Sequence, residues 1–323
     1  MPSEFELIAR HFAGPTPGAV LGPGDDCALL QPSPGMELAV TTDMLVAGVH
    51  FLPETDPEGL GWKTLAVNLS DLAAMGAKPR WVLLAGSLPE ADEAWLAAFA
   101  KGFFTLARAS QVDVVGGDTT RGPLNLCVTA LGEVAPGQAL RRDGAKAGDD
   151  LWVSGQPGLA ALGLVQLQGK IELPEALVQR CLTALQRPRP RIALGLALVQ
   201  RQLATAAIDI SDGLLADVGH IAERSGVELR LNVGQLPLLP KGVDPLLAQR
   251  CQLAGGDDYE LAFTAPAEKR MALAALAADL ELPLWRIGYA AEGAGVSLYD
   301  GDGAPLPPEF MDQFKGYDHF RAT

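Results

Sequence analysis

Cysteine, histidine and aromatic side chains are all scarce in this chain of 323 residues: four Cys, four His, and 6% Phe, Trp and Tyr together. The cysteines Cys27, Cys127, Cys181 and Cys251 lie far apart. That excludes a CxxC zinc motif and a disulfide framework, and predicts buried, reduced thiols in a cytosolic protein. His11, His50, His220 and His319 are too few for a histidine-rich metal centre. Positive charge is also short, with 25 Lys and Arg against 39 Asp and Glu and a net charge of −14. Such a surface repels phosphate backbones and anionic membranes, so no nucleic acid and no membrane is expected as a partner. Long apolar runs are missing. The stretch 192–199 falls far short of the roughly 20 residues of a membrane span. The opening MPSEFELIARHF lacks a basic, then apolar, leader, so no secretory signal is expected and the localisation predicted is cytoplasmic.

Familiar nucleotide and hydrolase signatures fail as well. The nearest approach to a Walker loop, from Gly163 to Lys170, has the wrong spacing and is followed by Ile171. A dinucleotide fingerprint starting at Gly22-Pro23-Gly24 breaks at Cys27. No HExxH, GxSxG or protein-kinase set is present.

The length suggests two domains. Glycine and proline, 36 and 24 residues, make just under a fifth of the chain and predict many turns. In the first half, strands are expected at 37–42, 81–85, 112–115 and 124–134. The first of these should end at Asp43 and give way to a loop. Helices are expected from Pro57 to Gly76 and over 91–109. The Gly- and charge-rich stretch 136–150 is the expected domain boundary. Beyond it, strands are expected at 151–154, 206–210, 258–264, 284–287 and 296–299. Helices are expected at 157–168, 174–186, 191–203, 214–225 and 266–280. The tail carries Phe310, Phe314, Tyr317 and Phe320, which suggests that it docks on the body. Alternating strands and helices argue for α/β-type layered domains.

One theme recurs, an Asp beside glycine or hydroxyls at the end of an apolar run. It appears as Gly24-Asp25-Asp26, Thr41-Thr42-Asp43, Gly116-Gly117-Asp118, Asp209-Ile210-Ser211-Asp212-Gly213 and Gly255-Gly256-Asp257-Asp258. Asp71 adds a carboxylate to an otherwise apolar helix, where an unpaired charge is costly. Any one of these is ordinary turn or cap chemistry. Together they point to Mg²⁺, which takes hard oxygen ligands, typically one or two carboxylates with water and substrate phosphates. An acidic chain binds anionic phosphates when metal ions bridge the charge. His50 is open to a structural or a ligand-facing role. The Arg141-Arg142 pair is open to solvent or to a nucleotide phosphate.

Residues 25–30 (DDCALL), 42–51 (TDMLVAGVHF), 66–77 (AVNLSDLAAMGA), 116–122 (GGDTTRG), 208–214 (IDISDGL) and 255–261 (GGDDYEL) resemble the thiamine-monophosphate kinase family. The likeness runs from Glu4 to the closing Gly316-Tyr317-Asp318-His319-Phe320. It differs at the third place of the Gly255 loop, where Asp257 stands for a common Glu.

The resemblance implies an α/β fold of the aminoimidazole ribonucleotide synthetase-like kind, with mixed sheets covered by helices. It implies residues 1–137 as the ATP- and Mg²⁺-binding and dimerisation domain. Residues 138–323 would form a C-terminal α/β domain with a substrate-contacting tail. The implied reaction moves the γ-phosphoryl of ATP in line onto thiamine monophosphate, with several Mg²⁺ ions and no protein nucleophile, in a homodimer. The implied metal ligands are Asp26, Thr41, Thr42, Asp43, Asp71, Asp118, Asp209 and Asp212. Gly117, Asp118, Arg142 and Ser211 are implied for ATP, and His50, Glu260 and Tyr317 for the substrate. Ligands drawn from both halves predict a site between the domains. A sister enzyme of the same superfamily and a non-catalytic divalent-cation buffer are the rival readings. Selenophosphate synthetases would be expected to carry a reactive Cys near the N-terminus, and none precedes Cys27 here.

Overall fold

A computed structural model describes residues 4–238, 242–311, 313–314 and 316–317. Asp318, His319 and Phe320 of the closing motif lie outside the described residues. The chain divides into two compact units, Met1–Leu72 with Ala77–Gln138, and Ala73–Gly76 with Ala139–Thr323.

The first unit holds helix α1 (Glu4–His11), strand β1 (Glu37–Val46), helix α2 (Pro57–Ala74) as far as Leu72, strand β2 (Lys78–Leu88), helix α3 (Glu93–Ala109), and strands β3 (Asp113–Arg121) and β4 (Asn125–Val134). Its four-stranded sheet has the order β1-β4-β2-β3, with only β2 and β3 parallel. Leu60, Leu65, Ala66, Val67, Leu69, Leu72 and Ala73 of α2 are all buried. A helix apolar nearly all round must be covered on all sides. Glycines allow α2 and α3 to touch. A Cβ at Gly61 would lie 2.0 Å from the Phe99 carbonyl oxygen, and one at Gly102 would lie 1.8 Å from that of Glu58. Asp92 starts α3 by accepting from the Ala94 and Trp95 amides at 2.9 and 3.1 Å.

Two strands run further than their sequences suggest. β1 continues through Asp43 to Val46, paired residue for residue with β4. β3 continues through Gly116, Gly117 and Asp118 to Arg121, paired with β2. The carboxylates expected at strand ends therefore stand inside strands. Ladder hydrogen bonds outweigh the poor strand propensity of Gly and Asp.

The second unit holds β5 (Asp149–Ser154), α4 (Leu159–Leu167), α5 (Glu175–Gln186), α6 (Ile192–Gln200), β6 (Ala206–Asp209), α7 (Leu214–Ser225), β7 (Glu228–Asn232), α8 (Pro245–Ala254), β8 (Leu261–Pro266), α9 (Arg270–Asp279), β9 (Leu284–Ala291), β10 (Gly295–Tyr299) and α10 (Pro308–Met311). Its sheet has the order β10-β7-β9-β5-β8-β6, and β10 and β7 form its parallel pair. One core of this unit gathers Leu151, Ile208, Leu214, Val218, Ile221, Leu229 and Ile287. Phe314 of the tail is buried in it and meets Phe310 edge-on at 5.0 Å, as a docking tail requires. Strand β8 begins at Leu261, three residues later than its sequence suggests, and α9 begins at Arg270.

All four cysteines are free, but only Cys181 and Cys251 are buried as expected; Cys127 is half-buried and Cys27 is exposed. Burial pushes the Cys251 thiol up to about 12. No helix among the described residues is long and apolar enough to cross a membrane.

Candidate active site

In the first unit two of the acidic motifs, those of Asp43 and Asp71, meet where β1 faces α2. Side chains alternate along a strand. Thr41 and Asp43 thus share the face that carries the buried Leu45, while Thr42 points the other way. On α2, Asn68 and Asp71 are three residues apart and so lie on one helix face. The two faces meet: the Thr41 hydroxyl donates to Asp71 Oδ2, and the Asp43 amide donates to Asn68 Oδ1 at 3.0 Å. Asn68 is fully buried, and its amide nitrogen donates to the Thr64 carbonyl at 3.3 Å. It holds Asp43 in register with the helix.

The Thr42 side chain lies on the opposite face of the sheet from Thr41 and Asp43. Its hydroxyl donates to the Val128 carbonyl at 2.9 Å and lies 3.0 Å from the Thr129 hydroxyl. Beside Thr41 and Asp43 it can offer only its backbone. Asp118 is also set apart. Asp43 pairs with Val128, Val128 with Leu84, and Leu84 with Gly117, so β1 and β3 are opposite edges of the sheet. Three strand spacings separate them by roughly 14 Å. Asp43 and Asp71 are brought together; Asp43 and Asp118 of one copy are not. Gly117 has φ +156°, and a Cβ there would lie 1.8 Å from the Leu84 carbonyl oxygen. Only glycine fits beside Asp118. Asp26 stands exposed in a loop closed by the Leu21–Leu29 bridge, its amide donating to Asp25 Oδ1 at 3.1 Å. His50 turns back on its own loop. Its Nδ1 accepts from the Val46 amide at 3.0 Å, which fixes the ring proton on Nε2 in the neutral form.

The second unit builds its site from two neighbouring loops. Asp209 is buried at the end of β6, opposite Leu261 of β8. The turn Ser211-Asp212-Gly213 follows. All three of its amides donate to Oδ2 of Asp217, at 3.0, 3.1 and 3.1 Å. Asp217 sits in the first turn of α7 and is buried. Burial pushes its carboxyl up to about 7, and the nearby negative charge of Asp212 adds to the shift. The loop 255–260 runs alongside. The Asp257 amide donates to the Ser211 carbonyl at 2.9 Å and the Tyr259 amide to that of Ile210 at 2.8 Å. Asp257 and Tyr259 both have left-handed backbones, with φ +68° and +50°. Such non-glycine residues store strain, and they concentrate at functional sites. A Cβ on Gly256 would lie 2.4 Å from the Ser211 carbonyl oxygen, so glycine lets the loops touch. Asp258 accepts from the Gly158 and Ala160 amides at 2.7 and 3.4 Å and so caps α4. Burial pushes its carboxyl well up.

Glu260 is buried, just before β8. Its carboxylate accepts from the Ser154 hydroxyl at 2.5 Å, from Arg191 Nε at 2.6 Å and from Arg191 Nη2. Tyr317 is about half exposed, and its amide donates to the Asp212 carbonyl at 3.1 Å. The tail therefore returns to the Ser211–Gly213 turn. Of the two linker arginines, Arg141 is taken by Asp143, with Nε to Oδ1 at 2.8 Å. Arg142 has no side-chain partner among the described residues, so it is the one open to a phosphate.

Among the described residues, no three His, Cys, Asp or Glu side chains gather tightly enough to hold a metal by themselves. What the first unit offers is the Thr41–Asp71 pair beside Asp43, all hard oxygen donors. That set fits Mg²⁺, which fills its remaining positions with water and substrate phosphates. Asn68, Ser154, Arg191 and Asp217 escaped sequence reasoning. An acidic residue in the first helical turn after Ser-Asp-Gly was a readable signal for Asp217. No local signal pointed to Arg191, which lies 69 positions from its partner.

Residues 24–134 match the family model of the AIR synthase related protein, N-terminal domain, and residues 146–301 match that of its C-terminal domain. The chain is 46% identical to the thiamine-monophosphate kinase of Salmonella typhimurium over 98% of both sequences. It is 40% identical to that of Caulobacter vibrioides over 92% of this chain and 87% of the other. The crystal structure of the thiamine-monophosphate kinase from Stenotrophomonas maltophilia K279a superposes with a TM-score of 0.84 at 51% identity, over 94% of this chain and 96% of that one. AaThiL complexed with AMPPCP and TMP superposes with a TM-score of 0.76 at 32% identity, over 98% and 96%. The hydrogenase maturation protein HypE, at 21% identity and a TM-score of 0.77, shares the fold alone. Both domain models match in order, and kinship at this level spans nearly every residue, including the β1–α2 junction and both loops of the second unit: the chain belongs to the thiamine-monophosphate kinase family.

Proposed function

We propose that this protein transfers the γ-phosphoryl group of ATP to the phosphate of thiamine monophosphate. A substrate phosphate oxygen forms the new bond to the γ-phosphorus. The bond from that phosphorus to the β,γ-bridging oxygen breaks, and ADP leaves with thiamine diphosphate as the product. The observation that carries this reading is the kinship with thiamine-monophosphate kinases over nearly the whole chain, one of them solved with AMPPCP and TMP. The acceptor is already an anion, so neither a protein nucleophile nor a strong base is needed. Catalysis of this kind is positioning and charge neutralisation.

Mg²⁺ supplies the neutralisation when bound. Asp26, Thr41, Asp43, Asp71 and Asp118 in the first unit, and Asp209 and Asp212 in the second, would be ligands of several such ions, with Thr42 contributing backbone only. Gly117, Asp118, Arg142 and Ser211 would meet the nucleotide. His50, Glu260 and Tyr317 would meet thiamine monophosphate. Protein incubated with Mg-ATP and thiamine monophosphate should yield thiamine diphosphate by chromatography. No product above a blank without enzyme would end this reading.

Tyr317 offers a ring face to the substrate heterocycle. Tyr317→Ala should raise the KM for thiamine monophosphate about five-fold and leave the KM for ATP within about two-fold, because a ground-state contact is lost. A shift confined to the ATP parameters would assign the residue elsewhere.

The working form we propose is a homodimer in the cytoplasm. The face of the first sheet that carries Thr42 also exposes Leu38 (43%), Val40 (62%), Met44 (51%) and Leu83 (36%). An apolar sheet face of this kind calls for a cover. A second copy supplies one, because a two-fold pair presents the same patch twice. Sedimentation should give about twice the 33.9 kDa of one chain; a mass of one chain at micromolar protein would reject the pair. The four unpaired cysteines support the reducing compartment.

A further inference from the structure

Glu260 carries more structure than a counter-ion for a cation needs. A carboxylate has about four acceptor positions. In Glu260, Oε2 takes Arg191 Nε at 2.6 Å and the Ser154 hydroxyl at 2.5 Å, and Oε1 takes Arg191 Nη2. One acceptor position remains, on Oε1. The ion pair is largely enclosed, with the Arg191 side chain 21% exposed and that of Glu260 8%. Its charge is already compensated by a planar, two-pronged partner that a lysine cannot imitate.

The surroundings hold this pair in one arrangement. Arg191 stands immediately before α6, after Pro188, Arg189 and Pro190. Each proline fixes its own φ and restricts the residue before it, so the approach to Arg191 is stiff. Opposite, Gly155 has φ +62°, and a Cβ there would lie 1.9 Å from Oε1 and 2.6 Å from Oε2. The Trp285 indole donates to the Gly155 carbonyl at 2.9 Å and fixes that glycine. The Ser154 hydroxyl also accepts from the Leu261 amide at 2.9 Å, which ties the carboxylate to the start of β8.

A carboxylate already neutralised and with one open acceptor is a poor partner for a delocalised cation. It is a good partner for a single N–H donor. Thiamine monophosphate has both features, a thiazolium cation and an exocyclic amino group on its pyrimidine. We infer that Arg191 is a positioning residue that neutralises and aims Glu260, so that Oε1 accepts from the pyrimidine amino group and not from the thiazolium. This rests on thiamine monophosphate being the substrate.

Oxythiamine monophosphate, in which an oxygen replaces that amino group, is the probe. Steady-state kinetics of the full chain with both substrates should show wild type with a KM roughly ten-fold higher for the oxygen analogue, since one hydrogen bond to a charged acceptor is lost. Arg191→Lys should raise the KM for thiamine monophosphate about five-fold or more, with kcat and the KM for ATP within about two-fold. The preference for the amino substrate should fall to within about two-fold. A merely structural arginine would lower thermal stability without touching that preference. Should Arg191→Lys melt at the assay temperature, the double variant Arg191→Met with Glu260→Gln leaves no charge unpaired and should show the same lost preference. Equal KM values for both substrates in wild type, or a preference that survives these substitutions, would overturn the inference. A wild type that makes no thiamine diphosphate at all would instead overturn the proposed function.

Discussion

Asp71→Asn is expected to lower kcat by at least roughly 100-fold, beyond the ~10–100-fold that loss of an outer-shell metal partner costs. The melting temperature should stay within a few degrees of wild type. Asn is nearly the same size as Asp, and its carbonyl oxygen can still accept from the Thr41 hydroxyl that now donates to Asp71 Oδ2. The junction of β1 with α2 keeps its other tie, Asn68 to the Asp43 amide. What disappears is the negative charge that a divalent cation needs beside Asp43. Turnover at saturating Mg-ATP and thiamine monophosphate, read beside a thermal melt, separates the two effects. Near-wild-type turnover at saturating Mg²⁺ would remove Asp71 from the ligand set.

Gly155→Ala should have the largest effect on stability at the substrate end. The left-handed backbone at φ +62° costs an alanine about 1 kcal/mol or more. The added Cβ would lie 1.9 Å from Oε1, 2.3 Å from Cδ and 2.6 Å from Oε2 of Glu260. A side chain pinned by Arg191 and Ser154 cannot step aside without breaking those bonds. Disrupting a buried ion pair costs about 3–5 kcal/mol. Denaturant titration should show a loss of that order, and calorimetry should show weakened binding of thiamine monophosphate. Wild-type stability and affinity together would contradict the placement of the carboxylate against Gly155.

Local chemistry made some elements legible in the sequence. Helix α7 runs from Leu214 to Ser225, as read after the Ser-Asp-Gly turn, and Gly226 caps its end. α2 begins at Pro57, the first-turn position that proline favours. Helix α8 was signalled by Asp244 before Pro245, a cap followed by a first-turn proline, yet its short length hid it. Strand β7 (ELRLN) alternates charge and leucine over only five residues, too few to stand out. Where the reading fell short, pairing across distance decided the matter. β1 and β3 extend through Asp and Gly because their partners satisfy each backbone group. The left-handed Asp257 and Tyr259 carry no sequence mark, since neither is glycine. The motifs marked the candidate residues. They did not mark that Thr42 faces away from Thr41, which follows from strand alternation once β1 is known to continue past Asp43.

The three amides gathered on Asp217 have one more consequence. Consecutive N–H groups ahead of a helix are the usual nest in which proteins seat a phosphate anion. Here the nest is already filled from inside, by a carboxylate of the same chain. No polyphosphate can be seated on the main chain at this turn. Any anion arriving there has to be met through the Ser211 hydroxyl or through a cation carried by Asp212. The turn is furnished in advance, and its amides should exchange slowly with solvent deuterium before any nucleotide arrives.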